Sequence, residues 1–185
     1  MQFGHGAIVL GSEMSDGVKN LKVERCYFEH TDRGLRIKTS RGRGNTAIID
    51  GVEFNNIYMD NVLTPLVINM FYFCDPDRKT KYVWSKEKLP VDDRTPYLGN
   101  FTFNNIKAIN CEVCSRYFYG LPEMPIQQIN INDSEFTFKE DAKVDTHAMM
   151  SFSEECLRRG FVFKNVKEIN LKNVKVENQL GEKID

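Results

Sequence analysis

One arrangement of apolar and polar positions recurs along the chain. An apolar residue, any residue and a second apolar residue are followed by two polar residues, after which the apolar, any, apolar triplet returns. Five stretches carry this arrangement, the fourth with two extra residues: 21–28, 52–59, 101–108, 129–138 and 169–176. Alternation at period two turns every second side chain inward, so each copy is predicted to be two very short strands that meet at a polar corner.

Stacking such copies is the way in which they can bury their apolar faces. A lone strand pair cannot hide its apolar side chains, whereas successive turns stacked at the usual strand separation enclose a continuous core. The corners are rich in Asn, which tolerates left-handed backbone, and the irregular spacing of the copies indicates loops of variable length. Hairpin dipeptides are almost absent from the copies: Asp16-Gly17 precedes the first copy, and Asp50-Gly51 lies between two copies. The pattern therefore favours an all-β parallel β-helix over a sandwich.

The longest interruption of the repeats is a loop over residues 71–96, and we expect it to be an insertion in a single partial β-helix domain spanning 1–185. Its aromatic residues favour an ordered loop that packs over the body, either as a cleft rim on which sugars stack or as a self-packed surface loop. The Asp92-Asp93 pair in this loop is interpreted as solvated acidic residues, because adjacent residues on a strand face opposite ways.

The composition of the chain mainly excludes some classes of partner and of site. The 185 residues hold 25 basic and 26 acidic groups, a formal net charge of −1, so no global field attracts nucleic acid or an anionic membrane. No stretch of 18 apolar residues occurs, and Met1 is not followed by a signal region, so the chain as given is expected neither to span a membrane nor to carry an export signal. The five cysteines, among them Cys111 and Cys114, are interpreted as buried thiols, since a zinc site would need a second ligand pair.

A local basic run stands out from this neutral background. Between Asp32 and Thr46 the chain has five cations and one carboxylate. If Leu35 and Ile37 face the core of a strand, the cations at 36 and 38 stand together on its outer face, where an arriving carboxylate would relieve their repulsion. Two other interpretations stay open: a solvated basic strand paired with acidic neighbours, and RNA binding by the Arg-Gly-Arg-Gly segment.

Two short motifs give this run a family context. Gly4-His5-Gly6 and Arg36-Ile37-Lys38 resemble two of the four signature motifs of the polygalacturonases, glycoside hydrolase family 28. Further similarity to the bacterial exo-acting branch lies in four segments: Gly-Ser-Glu-Met-Ser at 11–15, Arg-Gly-Arg-Gly at 41–44, Asp-Arg-Thr-Pro at 93–96 and Gly-Leu-Pro-Glu at 120–123. The resemblance implies a right-handed parallel β-helix that hydrolyses α-1,4-linked galacturonic acid in pectin with inversion.

The same resemblance implies roles for individual residues. His5 corresponds to the auxiliary histidine beside the catalytic carboxylates, and Arg36 and Lys38 correspond to the pair that binds the galacturonate carboxylate next to the scissile bond. Three more residues match cleft-lining positions of the exo branch: Glu13, Arg41 and Arg43. The implied partner is polygalacturonate or an oligogalacturonide, with no nucleic acid and no membrane, and neither a cofactor nor a metal is implied.

The resemblance also has a gap. The family's other two motifs, Asn-Thr-Asp and an Asp-Asp pair, carry the general base and general acid and precede Gly-His-Gly, whereas no aspartate lies ahead of Gly4 in the 185 residues. We therefore expect a C-terminal fragment that keeps half of the substrate-binding wall, is inactive alone, and tends to self-associate through its uncapped N-terminal coil. Two alternatives remain: a non-catalytic β-helix that binds acidic polysaccharide, and another β-helix enzyme such as a rhamnogalacturonan hydrolase or a pectate lyase. Family members are usually secreted or periplasmic, but the location of this chain stays open.

Overall fold

The chain folds as a parallel β-helix, which confirms the architecture predicted from the repeats. The computed structural model describes residues 1–73 and 80–181. The strands are β1 Gln2–Gly4, β2 Ile8–Leu10, β3 Val18–Lys19, β4 Lys22–Thr31, β5 Arg33–Lys38, β6 Ile48–Asp50, β7 Val52–Asp60, β8 Thr64–Asn69, β9 Tyr97–Leu98, β10 Asn100–Cys111, β11 Cys114–Tyr119, β12 Ile126–Phe138, β13 Asp145–Thr146, β14 Glu155–Cys156, β15 Arg159–Lys164 and β16 Val166–Glu177, and the helix is α1 Lys81–Trp84.

Three parallel sheets form the walls of the solenoid. The long sheet has the order β1-β4-β7-β10-β12-β16, the site sheet has the order β2-β5-β8-β11-β15, and a small sheet has the order β3-β6-β9. Each of the first three coils contributes one strand to every wall, as β5, β6 and β7 do in turn. Two connections depart from this plan: α1 lies between β8 and β9, and the antiparallel pair β13-β14 lies between β12 and β15.

The polar corners predicted from the repeats do not interrupt the long sheet. Each copy forms one continuous strand, in which the residue at the corner takes a left-handed φ, as at Asn56 (57°), Asn105 (52°) and Asn173 (51°). The side chains before these corners stack between coils, because Asn104 Nδ2 donates to Asn55 Oδ1 over 2.7 Å. The corner is therefore a bend within a strand, since one left-handed residue turns the chain without ending the parallel pairing.

The core is a column of aromatic and aliphatic side chains between the walls. Phe54 and Phe103 stack on the long sheet with ring centroids 5.5 Å apart, and Phe103 in turn stacks on Phe118 of the site sheet at 5.8 Å. All three rings are at most 1% exposed. Complete burial of such a ring stabilises the fold by about 1.5–3 kcal/mol, so this column contributes to the cohesion of the solenoid.

The long loop is ordered where the structure describes it. Phe71 and Tyr72 are buried at its start, and α1 lies in its middle. Residues 74–79, which include Cys74, Asp75-Pro76-Asp77, Arg78 and Lys79 of the sequence pattern, lie outside the described residues. Within the two described ranges, no helix is long and apolar enough to cross a membrane.

Candidate functional site

Strand β5 presents two cations on the outer face of the site sheet. Leu35 and Ile37 are each 1% exposed and face the core, so Arg36 and Lys38 point outward, as the alternation predicts. The ring of Tyr72 lies close to both head groups. Arg36 Cζ is 5.6 Å from the ring centroid, Lys38 Nζ is 4.3 Å from it, and Lys38 Nζ also donates to the Tyr72 hydroxyl over 3.2 Å. An aromatic ring thus fixes the positions of both cations.

The preceding coil brings a histidine to the same face. The backbone of Asp32 donates to the Gly4 carbonyl over 2.9 Å, which stacks the coil of His5 directly on β5. His5 Nδ1 lies 2.6 Å from Asp32 Oδ2, and the His5 side chain is 93% exposed. The carboxylate therefore orients an imidazole whose other nitrogen faces solvent.

The side chain of Arg33 binds a segment that is distant in the sequence and holds it at this face. Its Nε donates to the His147 carbonyl over 3.1 Å and its Nη2 donates to the Thr146 carbonyl over 2.6 Å, which holds β13 beside β5. Burial lowers the pKa of Arg33, and the charge of Arg36 lowers it further, whereas the carboxylates of Asp32 and Asp145 raise it. These contacts bring Asp145 to the site from more than a hundred positions away in the sequence.

A cavity of about 200 Å³ lies where these elements meet. It is lined by His5, Asp32, Arg33, Arg36, Asp145 and Met149. Two guanidinium groups can bind a carboxylate, and two carboxylates can accept hydrogen bonds from hydroxyl groups. Asp32 and Arg33 belong to the motif region that the sequence had already indicated, and Tyr72 is one of the loop aromatics expected to pack over the body, but no sequence signal points to Asp145 or Met149.

Arg41 lies in the interior, away from this cavity. Its side chain and that of Glu123 are each 1% exposed, with Nε 2.5 Å from Oε1 and Nη2 3.0 Å from Oε2. The remaining guanidinium donors bind main-chain carbonyls of the loop, at Tyr82, Ser85 and Glu87. All donors of Arg41 are thereby engaged in fastening the loop to the solenoid, and none is left for a ligand.

The other two cleft-lining residues implied by the resemblance also lie outside the cavity lining. Arg43 Nη2 donates to Ser12 Oγ over 2.9 Å, and Glu13 is exposed in the turn after β2. Gly11 starts that turn with a φ of 94°, and a Cβ there would lie 1.9 Å from the Lys38 carbonyl oxygen. A glycine is therefore required for the turn to cross the backbone of β5 so closely.

The remaining candidate residues serve the fold. Asp92 Oδ2 binds Arg94 Nη2 over 2.6 Å and closes a turn, and this hydrogen bond lowers the pKa of Asp92. Cys111 and Cys114 are fully buried, and burial raises the pKa of the Cys114 thiol to about 12. The prediction of buried thiols is thus confirmed for both residues and for Cys156, but it is wrong for Cys26, which is half-buried on β4. No group of three or more His, Cys, Asp or Glu side chains suited to a metal ion occurs within 1–73 and 80–181.

Comparison with known proteins identifies relatives of this chain. The chain is 31% identical to a polygalacturonase of Prunus persica over 142 residues, and 38% identical to a polygalacturonase of Ralstonia nicotianae over 74 residues. These alignments cover 75% and 38% of this chain, and 33% and 13% of the two relatives. The chain thus spans about a third of the length of the Prunus protein.

A solved structure has the same fold. The crystal structure of a hyperthermoactive exopolygalacturonase from Thermotoga maritima superposes with a TM-score of 0.63 at 20% identity, over 95% of this chain and 31% of that one. Residues 1–93, which contain His5, Arg36 and Lys38, match the family described as Glycosyl hydrolases family 28. This chain is therefore a member of glycosyl hydrolases family 28.

Proposed function

We propose that this chain is the carboxylate-binding part of a polygalacturonase-type glycosidase and that its ligand is polygalacturonate or an oligogalacturonide. The observation that carries the proposal is that His5 and Arg36 line one cavity, with Lys38 two positions along the same strand. The relatives are named polygalacturonases, which supports polygalacturonate as the ligand. The cationic side chains of the cavity support recognition of its carboxylates, since each galacturonate unit bears one.

Each wall of the cavity supplies a different part of the recognition. The guanidinium of Arg36 binds the sugar carboxylate through a planar fork, and the ammonium of Lys38 adds a second charge from the adjacent outward position. Asp32 and Asp145 accept hydrogen bonds from sugar hydroxyls. A volume of about 200 Å³ lies below the roughly 300–1,000 Å³ of pockets for drug-sized ligands, so it suits one sugar residue.

Binding without cleavage is the activity that we propose for the 185 residues alone. Inverting hydrolysis needs a carboxylic acid and a carboxylate about 6.5–9.5 Å apart, on opposite sides of the glycosidic bond. The resemblance assigns these two groups to aspartate motifs that precede Gly-His-Gly in the family, and no aspartate lies ahead of Gly4 in these 185 residues. Within the cavity, Asp32 is engaged by His5, which supports an orienting role for this carboxylate.

Calorimetric titration with trigalacturonate tests the binding. We expect saturable binding that weakens with added salt, and a loss of about ten- to a hundredfold in affinity for Arg36→Gln, because a charge-assisted hydrogen bond is worth about 1.5–3 kcal/mol. Arg25→Gln is the matched control, because Arg25 is exposed on the long sheet beside Glu24. Absence of binding, or equal losses in the two variants, contradicts the proposal.

A reducing-end assay on the same samples tests the catalytic part. We expect the purified chain to release no galacturonate from polygalacturonan. Release that disappears in His5→Ala or Asp145→Asn would show that these residues form a complete catalytic centre, and the binding-only proposal would then be wrong.

A further inference from the structure

A second cavity lies on the same face of the site sheet, at its other end. The strands pair in register, so outward side chains form two columns across β5, β8, β11 and β15: Arg36, Val67, Tyr117 and Val162 in one, and Lys38, Asn69, Tyr119 and Lys164 in the other. The second cavity, of about 220 Å³, lies over β11 and β15. Three strand spacings, about 14 Å, separate β15 from β5. Met149 lines the first cavity and Met150 the second, so this segment divides them.

Two ammonium groups converge on one ring in this second cavity. Lys86 Nζ is 5.2 Å from the centroid of Tyr119, and Lys164 Nζ is 5.4 Å from it. Arg159 adds a third cation, and Glu154, whose Oε2 is 4.0 Å from Arg159 Nη1, supplies the carboxylate of the lining. The cations therefore outnumber the acids, which is the charge balance of a site that receives an anion.

Burial of the Lys86 ammonium group in this cavity is energetically unfavourable. Its Nζ is buried 3.4 Å above the ring of Phe71, and it has no hydrogen-bond partner among the described residues. Burial, together with the charges of Arg41 and Lys164, lowers the pKa of Lys86 to about 7. His147 in the lining adds no further positive charge, because burial and the neighbouring cations lower its pKa to about 3. A ligand carboxylate in the cavity would relieve this excess of positive potential.

The mouth of the cavity is aromatic. Trp84 of α1 and Phe152 meet edge to face with ring centroids 5.4 Å apart, and Phe152 is 76% exposed at a left-handed φ of 60°. Exposure of such a large apolar side chain on an energetically unfavourable backbone conformation indicates a functional role for Phe152. Apolar faces beside a cluster of cations are suited to a sugar ring that carries a carboxylate, since the ring packs on the aromatic surface while the acid reaches the ammonium groups.

We propose that this second cavity is a separate binding site for a uronate residue, with Lys164 and Lys86 at its carboxylate and Trp84 and Phe152 against its ring. The identity of the ligand rests on the function proposed above, whereas the site itself shares no lining residue with the cavity at His5.

The chain contains its own reporter for this site, because Trp84 is its one tryptophan. We would titrate the intact chain with trigalacturonate and follow the Trp84 fluorescence. We expect a saturable change, weakened at least tenfold in Lys164→Gln and unaltered in Arg36→Gln. Lys164 is exposed at the end of β15, so its substitution leaves the fold intact. Lys107→Gln, an exposed lysine on the long sheet, is the matched control.

Neutral galactotriose separates recognition of charge from recognition of shape, and we expect it to leave the fluorescence unchanged. An unchanged Trp84 signal while calorimetry records binding that depends on Arg36 would overturn the second site and leave the proposed function standing. Binding that registers in neither measurement removes both. An equal response to galactotriose, or to trigalacturonate in Lys164→Gln, contradicts carboxylate recognition here.

Discussion

At the scale of the residue, Lys86 gives the stability of the chain a dependence on pH. Its folded pKa of about 7 lies below the usual 10.5, so between these two values the unfolded chain binds a proton that the folded chain does not. Stability therefore rises with pH across this window, and the full cost of the buried charge remains below pH 7. Lys86→Met removes the charge and keeps the length of the side chain.

We expect Lys86→Met to raise the free energy of unfolding by about 1–2 kcal/mol at pH 6, after allowance for partial exposure, and by much less at pH 10. Urea denaturation at the two pH values measures the difference. Lys88→Met, at an exposed neighbouring lysine, should change little at either pH. A gain for Lys86→Met that is equal at both pH values would show that the Lys86 ammonium is not desolvated.

The Arg41–Glu123 pair makes a second prediction at this scale. Glu123→Gln leaves the buried guanidinium of Arg41 without its counter-charge, so we expect a loss of about 3 kcal/mol in the free energy of unfolding. Glu87→Gln is the control, because the Glu87 side chain is 74% exposed and lies 3.7 Å from Lys81. Chemical denaturation of both variants gives the comparison. Equal stability of the two would mean that the pair does not hold the loop.

Which residues the sequence could identify depended on how local their environment is. Arg36 and Lys38 follow from alternation on one strand, because the inward positions of Leu35 and Ile37 are apolar. The same basic run continues to Arg41, but strand β5 ends at Lys38 and Arg41 lies in the turn that follows, so alternation no longer tells which way Arg41 points. Asp145 reaches the site because the Arg33 side chain binds the main-chain carbonyls of Thr146 and His147. A periodic sequence pattern does not predict such long-range contacts.

At the scale of the element, the Asn ladders hold the corners of successive coils together. Asn104 is in the middle of one ladder, donating to Asn55 over 2.7 Å and accepting from Asn132 over 2.8 Å. Asn104→Ala leaves a donor and an acceptor unpaired, so we expect it to reduce the free energy of unfolding by about 1–2 kcal/mol. Thermal denaturation compares it with Asn45→Ala, at an exposed turn position, for which we expect a change below about 0.5 kcal/mol. A negligible effect at Asn104 would deny the ladder a stabilising role.

The repeat pattern predicted the strands better than the connections between them. All five copies fall on long-sheet strands, because inward and outward positions alternate there over whole strands. Each corner was expected to separate two strands, but one left-handed residue bends the chain while the inter-coil pairing continues. Neither α1 nor the β13-β14 pair was predicted. Both lie in connections without periodicity, where contacts with the body decide the conformation.

At the scale of the whole molecule, the first coil presents an open edge and apolar side chains. Met1 is 65% exposed and Phe3 is 77% exposed, beside strand β1, which pairs on one side with β4. We predict that the purified 185-residue chain self-associates through this surface, because unpaired strand edges and exposed apolar groups favour association. Sedimentation over a range of concentrations should show reversible association that Phe3→Lys weakens and Phe152→Lys, at the aromatic mouth of the second cavity, does not. A monomer at all concentrations would contradict the prediction.

The carboxylate site at His5 and Arg36 is tested most directly by nuclear magnetic resonance during a titration with trigalacturonate. The ring signals of His5 and the Nε–Hε signal of Arg36 should shift together along one saturation curve, while the corresponding signal of Arg25 stays in place. Saturable binding that leaves the His5 and Arg36 signals unmoved would show that the ligand binds elsewhere and would contradict this assignment of the site.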